Sequence, residues 1–391
     1  MSHDPAYAPA ASIPGSRIRQ IAALADLHPG TLRLFYGEDT LATPDFIKAA
    51  GRGAIAENFT FYTPNAGFPE LREAIAAMYA RLHRTETNAD QIVTTASGMV
   101  AIALVCQATL SAEDSAILIT PLWPNLSAAV RVTGAESIEI PLSFDESGFR
   151  LDFDRIEAAV KPNTRLLALA SPGNPTGWTA SHDDWERIVA FCDRHDLWLL
   201  ADGVYERLVF DREIAPSPWE IADARKRTIV TQSFSKTYRM TGWRIGYTIA
   251  LAETANRLKT LQEFVVSHAA GFTQRAALAA LEQGESFVAE SRLRYERHRR
   301  IAIDKLRKIP GIVLAEPPGS FYVFPRLDGL TDSFAFCRGL VVEHRLGVAP
   351  GSAFGAGGEG HVRLCFAVEE NVLREAIDRF EVAWKDYRKT L

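Results

Sequence analysis

Between Ile92 and Asp202 the chain repeats one pattern, a short apolar run followed by a helical stretch. The runs are IVTT from Ile92, AILIT at Ala116–Thr120, a run near Ile138, RLLALAS at Arg165–Ser171 and LWLLAD ending at Asp202. Helical spacing fills the gaps, at Gly98–Leu110, through Ala128, at Asp152–Val160 and at Trp185–His195. Runs that are apolar on both faces and separated by helices predict a mostly parallel sheet covered on both sides, an α/β domain. Upstream, Leu71, Ile75, Met78 and Leu82 form one stripe of an amphipathic helix over 68–84. From about Ser291 the pattern changes to a long charged helix, a GSFYVFP strand, further short pieces and a closing helix over 369–387, as in a smaller α+β domain.

A chain of 391 residues holds two such domains comfortably. The expected division is an N-terminal arm plus part of the small domain over 1–45, a large domain over 46–290 and the rest of the small domain over 291–391. A net charge of -5, without long charge runs, argues against nucleic acid or a membrane surface as partner and for small molecules. The Pro/Ala-rich start has no basic and apolar leader, and no run reaches 18 apolar residues, so a cytoplasmic protein is expected. Cys106, Cys192, Cys337 and Cys365 lie far apart without metal-ligand spacing and read as buried thiols, with no metal site. No GxGxxG follows a strand, which removes a nicotinamide dehydrogenase.

In an open α/β sheet, ligands gather beyond the carboxyl ends of the strands. Four polar places fall there. Ser97 and Gly98 in TASGM sit between a strand and a helix, where they serve as an ordinary N-cap or present amides to a phosphate. SPGNPTG is a turn whose Asn174 is open to a structural or a ligand role. Asp202 in LLADGVYERL caps a helix or pairs with a cationic ring nitrogen. SFSKTYRMTGWRIGY crowds Ser233, Ser235, Lys236, Arg244 and two glycines into one loop, which describes a phosphate cradle with a spare amine.

At these residues the sequence resembles the class I/II pyridoxal-phosphate aminotransferases of fold type I, over nearly the whole chain. The family's Ser, any, Ser, Lys pattern followed by Gly, any, Arg is matched, except that Arg239 stands where a small residue is usual. The resemblance implies a seven-stranded sheet, pyridoxal 5'-phosphate as cofactor, and Lys236 as the Schiff-base lysine. It implies a phosphate clamp of Arg244 and Ser233 with Ser235, and a helix start at Ser97, Gly98 and Met99 for the same phosphate. Asn174 and Tyr205 resemble the pair on the cofactor's 3'-oxygen, Asp202 the partner of the ring nitrogen, and Trp123 the aromatic stacked on the ring. Without the resemblance, Trp123 reads as plain core packing. Arg363 in HVRLCFA resembles the grip on the substrate α-carboxylate, and Gly37 the glycine of the N-terminal substrate loop. Tyr62 resembles the tyrosine that reaches a neighbouring subunit's phosphate, which implies a homodimer with shared sites.

The activity this implies moves an amino group between an L-amino acid and a 2-oxo acid, with Lys236, Asp202 and Tyr205 as the catalytic group. The same scaffold also suits β-elimination at a C–S bond or other α-carbon chemistry. From another class, a non-catalytic regulatory module would carry a basic recognition helix ahead of the domain, and none is found in the first forty or so residues. Some aspartate-preferring relatives carry lysine at the position of Met99, so that feature does not support an acidic side-chain preference here, and an aromatic or aliphatic donor, with 2-oxoglutarate or pyruvate as acceptor, stays open.

Overall fold

Alternation along the central runs decides how they pack. The computed structural model describes residues 13–145, 147–221 and 225–389; the Pro/Ala-rich start expected as an arm falls largely outside them. Seven strands form the central sheet: β1 (Ile92–Thr95), β2 (Ser115–Thr120), β3 (Glu136–Pro141), β4 (Thr164–Ala170), β5 (Trp198–Asp202), β6 (Thr228–Ser233) and β7 (Gly246–Ile249). Their order is β1-β7-β6-β5-β4-β2-β3. Only β7 runs against its neighbours. The expected mostly parallel sheet is therefore present.

Leu167, Leu169, Leu199, Ala201 and Val230 point to one core, shared with Trp185, Ile188 and Tyr247. Their sequence neighbours Leu166, Ala168, Leu200 and Ile229 point to the other, against Ile102, Val105 and Leu258. Successive strand side chains face opposite sides, so a strand buried on both must be apolar throughout. Each such leucine contributes about 1.5–3 kcal/mol by leaving water.

The helices start where local chemistry allows. Ser97 accepts the Val100 N–H at 3.2 Å and opens the helix Gly98–Thr109. Ser181 and Asp184 form a capping box for His182–Arg194. The long charged helix runs Glu285–Leu306, beginning before the expected Ser291, because Val288 extends the buried stripe of Ser291, Tyr295, His298 and Ala302 by one turn. A short hairpin, Ser143–Asp145 with Gly148–Arg150, was not anticipated, being only three residues a side.

Beyond the large sheet, Leu32–Arg33 pairs in parallel with Leu346–Gly347. Val362–Cys365 lies between Tyr322–Val323 and Ala349–Pro350, antiparallel to both. These small ladders carry Phe35, Gly37, Tyr322 and Arg363 to one wall of the cavity at the carboxyl edge of the large sheet.

Candidate active site

The six parallel strands end at the same edge, and the antiparallel β7 begins there. A cavity of about 530 Å³ opens at this edge. Into it come Gly98 after β1, Trp123 after β2, Asn174 after β4, Asp202 and Tyr205 at and after β5, and Ser233, Ser235 and Lys236 at and after β6. Arg244 arrives from just ahead of β7, and Gly37 and Arg363 from the opposite wall. Met99 lines it as well. Two of the expected residues do not line it: Ser97, 3% exposed, lies just behind Gly98, and Tyr62 is elsewhere, 94% exposed, with its ring edge-on to His268 at 5.6 Å.

Lys236 lies on a single helical turn, Phe234–Thr237, where a plain loop was expected. Ser233 starts that turn by accepting the Ser235 N–H at 3.2 Å, and its hydroxyl also donates to Ser235 Oγ at 2.9 Å. The lysine Nζ donates to the Gly37 carbonyl. Burial pulls its pKa down to about 8; nearby Arg363 and Arg244 act in the same direction, while Glu38 and Cys365 oppose them. An amine so placed releases its proton near neutrality.

Asp202 is 6% exposed, and burial pushes its carboxyl up to about 6, against the Val204 N–H at 3.2 Å and the charge of Lys236. A cationic ring nitrogen placed against it would hold it ionised. Tyr205 and Tyr322 share a hydroxyl–hydroxyl hydrogen bond of 2.6 Å. Burial, together with Tyr322, raises the Tyr205 phenol well above its ordinary value, so it stays protonated.

Arg363 is 2% exposed. It donates through Nη1 to Asn174 Oδ1 at 2.7 Å and through Nη2 to the Phe35 carbonyl, with its guanidinium 4.4 Å from the Tyr322 ring centre. Its Nε is buried without a protein partner. A buried cation held by neutral groups calls for an anion.

Gly98 begins its helix, where the first amide N–H groups have no intrahelical acceptor. A side chain at Gly246 would come within 2.5 Å of the Gly98 nitrogen, so glycine there keeps the cradle open. Arg244 adopts a left-handed backbone, φ 54°, and donates to the Thr241 carbonyl at 2.8 Å. Arg239, the departure from the family pattern, turns out of the cavity and pairs with Asp39 at 2.8 Å.

The sequence reading missed Ile18, Arg19, Tyr36, Glu38 and Tyr322, all on the cavity wall. Most of them lie in segments without strand-end punctuation. Only the run of aromatics in GSFYVFP signalled Tyr322.

Residues 32–380 match the family model for aminotransferase class I and II. The chain belongs to this aminotransferase family. It is 34% identical over 371 residues to an aspartate aminotransferase of Pyrococcus horikoshii, covering 94% of both chains. It is 35% identical to aromatic-amino-acid aminotransferase 2 of Thermococcus litoralis, covering 95% of this chain and 96% of the relative. Among solved structures, a Thermus thermophilus aspartate aminotransferase single mutant superposes with a TM-score of 0.89 at 30% identity, over 98% and 99% of the two chains.

This aminotransferase is a pyridoxal-phosphate-dependent enzyme. Its cavity fits that group in chemistry: N–H and hydroxyl donors with a cation for a phosphate, a buried carboxylate for a ring cation, and an amine of lowered pKa for an aldehyde. The four cysteines are buried and unpaired, as the sequence indicated.

Proposed function

We propose that Lys236 carries the cofactor and works as the acid and base of amino-group transfer between an L-amino acid and a 2-oxo acid. The observation that supports this most is that the Lys236 amine, the Asp202 carboxylate and the Arg363 guanidinium line one cavity. When bound, pyridoxal phosphate supplies an electron-withdrawing ring that stabilises negative charge at the substrate α-carbon.

Each side chain then has a physical task. Lys236, with a pKa near 8, takes the α-proton and returns it. Asp202 holds the ring N–H in its charged form, and Asn174 and Tyr205 hold the 3'-oxygen. Ser97, Gly98, Met99, Ser233, Ser235 and Arg244 hold the phosphate, and Trp123 covers the ring. Arg363 grips the α-carboxylate with its planar fork, which sets the orientation of the breaking C–H bond. Gly37 closes the opposite wall.

An aromatic or aliphatic donor is favoured. Met99, Ile18 and Tyr36 give the wall apolar surface, and aromatic amino acids appear in one relative's name. Aspartate and prephenate appear in others, and Arg19 at the wall supports 2-oxoglutarate as acceptor.

A homodimer with shared sites belongs to this reading, with Tyr62 of the partner subunit reaching the phosphate. Phe61, next to Tyr62 in the chain, and Phe264 are 78% and 82% exposed, apolar surface suited to a partner. A cytoplasmic setting and a division of the chain near 45 and 290 complete it; among the described residues no helix is long and apolar enough to cross a membrane.

The test is a panel of L-amino acids mixed with the purified, cofactor-loaded protein, followed by visible absorbance. Loss of the lysine-bound cofactor band with aromatic or aliphatic donors, and its return on adding 2-oxoglutarate, is expected. Pyruvate released from a cysteine conjugate without amino transfer would move the reading to C–S elimination.

A further inference from the structure

Arg239 has no part in the chemistry above, yet it sits where three segments meet. Its Nε lies 2.8 Å from Asp39 Oδ2, and the two side chains are only 11% and 3% exposed. Asp39 is held from a second side by Arg294 Nη1 at 2.7 Å and by the Tyr295 hydroxyl, both on the helix Glu285–Leu306. Its other oxygen accepts the Leu41 N–H at 2.8 Å, which shapes the segment that follows. Arg239 also reaches Ser291 Oγ at 3.2 Å and stacks on Phe287 at 4.8 Å.

The same two segments are tied at further points. Lys236 Nζ donates to the Gly37 carbonyl, and Thr241 Oγ1 donates to Glu38 Oε2 at 3.0 Å. Thr43 Oγ1 donates to the Arg239 carbonyl at 2.6 Å and accepts from Trp243 Nε1 at 3.1 Å. Of these ties the Arg239–Asp39 pair is the ionic and most enclosed one. A buried ion pair is strongly felt when one partner is removed, because the other charge is left without compensation.

We propose that Arg239 is a positioning residue: through Asp39 it clamps the Gly37–Thr43 segment against the Lys236 turn, keeping the lysine amine covered and its cavity wall in place. A small residue at this position would leave the Asp39 carboxylate with its side-chain partners on the long helix, Arg294 and Tyr295, and the segment's hold on the lysine turn would rest on the remaining hydrogen bonds. This rests on the functional reading only for its effect on turnover, since the clamp itself is a property of the folded chain.

Two measurements on Arg239→Ala and Arg239→Lys separate the possibilities. In the cofactor-free protein, hydrogen exchange of the Gly37–Thr43 amides should speed up roughly tenfold or more in Arg239→Ala, because local opening governs exchange, and return most of the way in Arg239→Lys. In the loaded protein, the pH midpoint of the visible band should rise in Arg239→Ala by about half a unit or more as water reaches the lysine nitrogen and solvates its protonated form, with KM for the donor raised more than kcat is lowered. Unchanged exchange in Arg239→Ala overturns the clamp, whatever the activity. Faster exchange with an unmoved midpoint and unmoved KM overturns its positioning of the site. A wild-type protein without any visible band would sink the cofactor reading and leave the exchange test standing.

Discussion

Arg363 and Asn174, 189 positions apart in the chain, meet through a 2.7 Å hydrogen bond at the floor of the cavity. The arginine comes from a short ladder of the smaller sheets and the asparagine from the turn after β4, so the bond spans the two parts of the molecule that build the site. Arg363→Lys keeps the charge and loses the planar fork. Charge-assisted hydrogen bonds contribute about 1.5–3 kcal/mol each, so kcat/KM for the amino donor should fall roughly ten- to a hundredfold. The loss should appear mainly in KM, and steady-state kinetics on the folded variant would show it. An unchanged KM would remove Arg363 from substrate binding.

Lys236→Ala removes the amine that the Gly37 carbonyl holds. Losing a positioned acid and base costs about 10²–10⁴-fold in rate, and here the covalent anchor goes with it. The variant should fold, retain pyridoxal phosphate weakly and show free-aldehyde absorbance in place of the lysine-bound band. Single-turnover absorbance checks it, and normal turnover would refute the assignment.

The large sheet and the residues at its edge were legible because both obey short-range rules. Doubly buried strands must be apolar throughout, and chains leaving parallel strands must turn at one edge, so the sequence alone brings Asn174, Asp202 and Lys236 together. Tyr322, Glu38 and Arg19 were not legible. Glu38 and Tyr322 reach the cavity through the pairing of Leu32–Arg33 with Leu346–Gly347 and through the ladder at Val362–Cys365, which are two to four residues long and carry little periodic signal, and Arg19 comes from the helix Arg17–Asp26. Arg239 shows the same limit at one residue. Its position in the motif is local information, whereas its direction is decided by Asp39, 200 residues earlier in the chain.

His83 joins two carboxylates in the protein interior, with Nδ1 2.6 Å from Glu220 and Nε2 3.4 Å from Glu206. Burial opposes its charge, but the two carboxylates outweigh burial and raise its pKa from 6.5 to about 9. The folded state therefore binds the proton more tightly than the unfolded chain. That stabilisation is complete below about pH 6.5 and is lost as pH rises through about 9, an effect on the order of 3 kcal/mol. Thermal unfolding should shift to lower temperature between pH 7 and 9.5. His83→Gln should lower the midpoint at pH 7 and flatten this dependence; an equally steep curve in the variant would assign it to other groups.

A methyl group at Gly37 would overlap the Tyr322 hydroxyl, with the ring carbon that bears it 3.2 Å away. That hydroxyl is the partner of Tyr205 at 2.6 Å, so Gly37→Ala should push the Gly37 segment off the wall or break the tyrosine pair. Overpacking of this kind costs about 1–3 kcal/mol, and the kinetic loss should be roughly tenfold or more. Tyr322→Phe removes the oxygen that the methyl meets. The double variant Gly37→Ala, Tyr322→Phe should therefore be less impaired than the sum of the two single variants predicts, by an interaction measurable in a double-mutant cycle on kcat/KM. Strict additivity would mean that Gly37 is required for its backbone or its carbonyl contact to Lys236, and not for the room it leaves beside Tyr322.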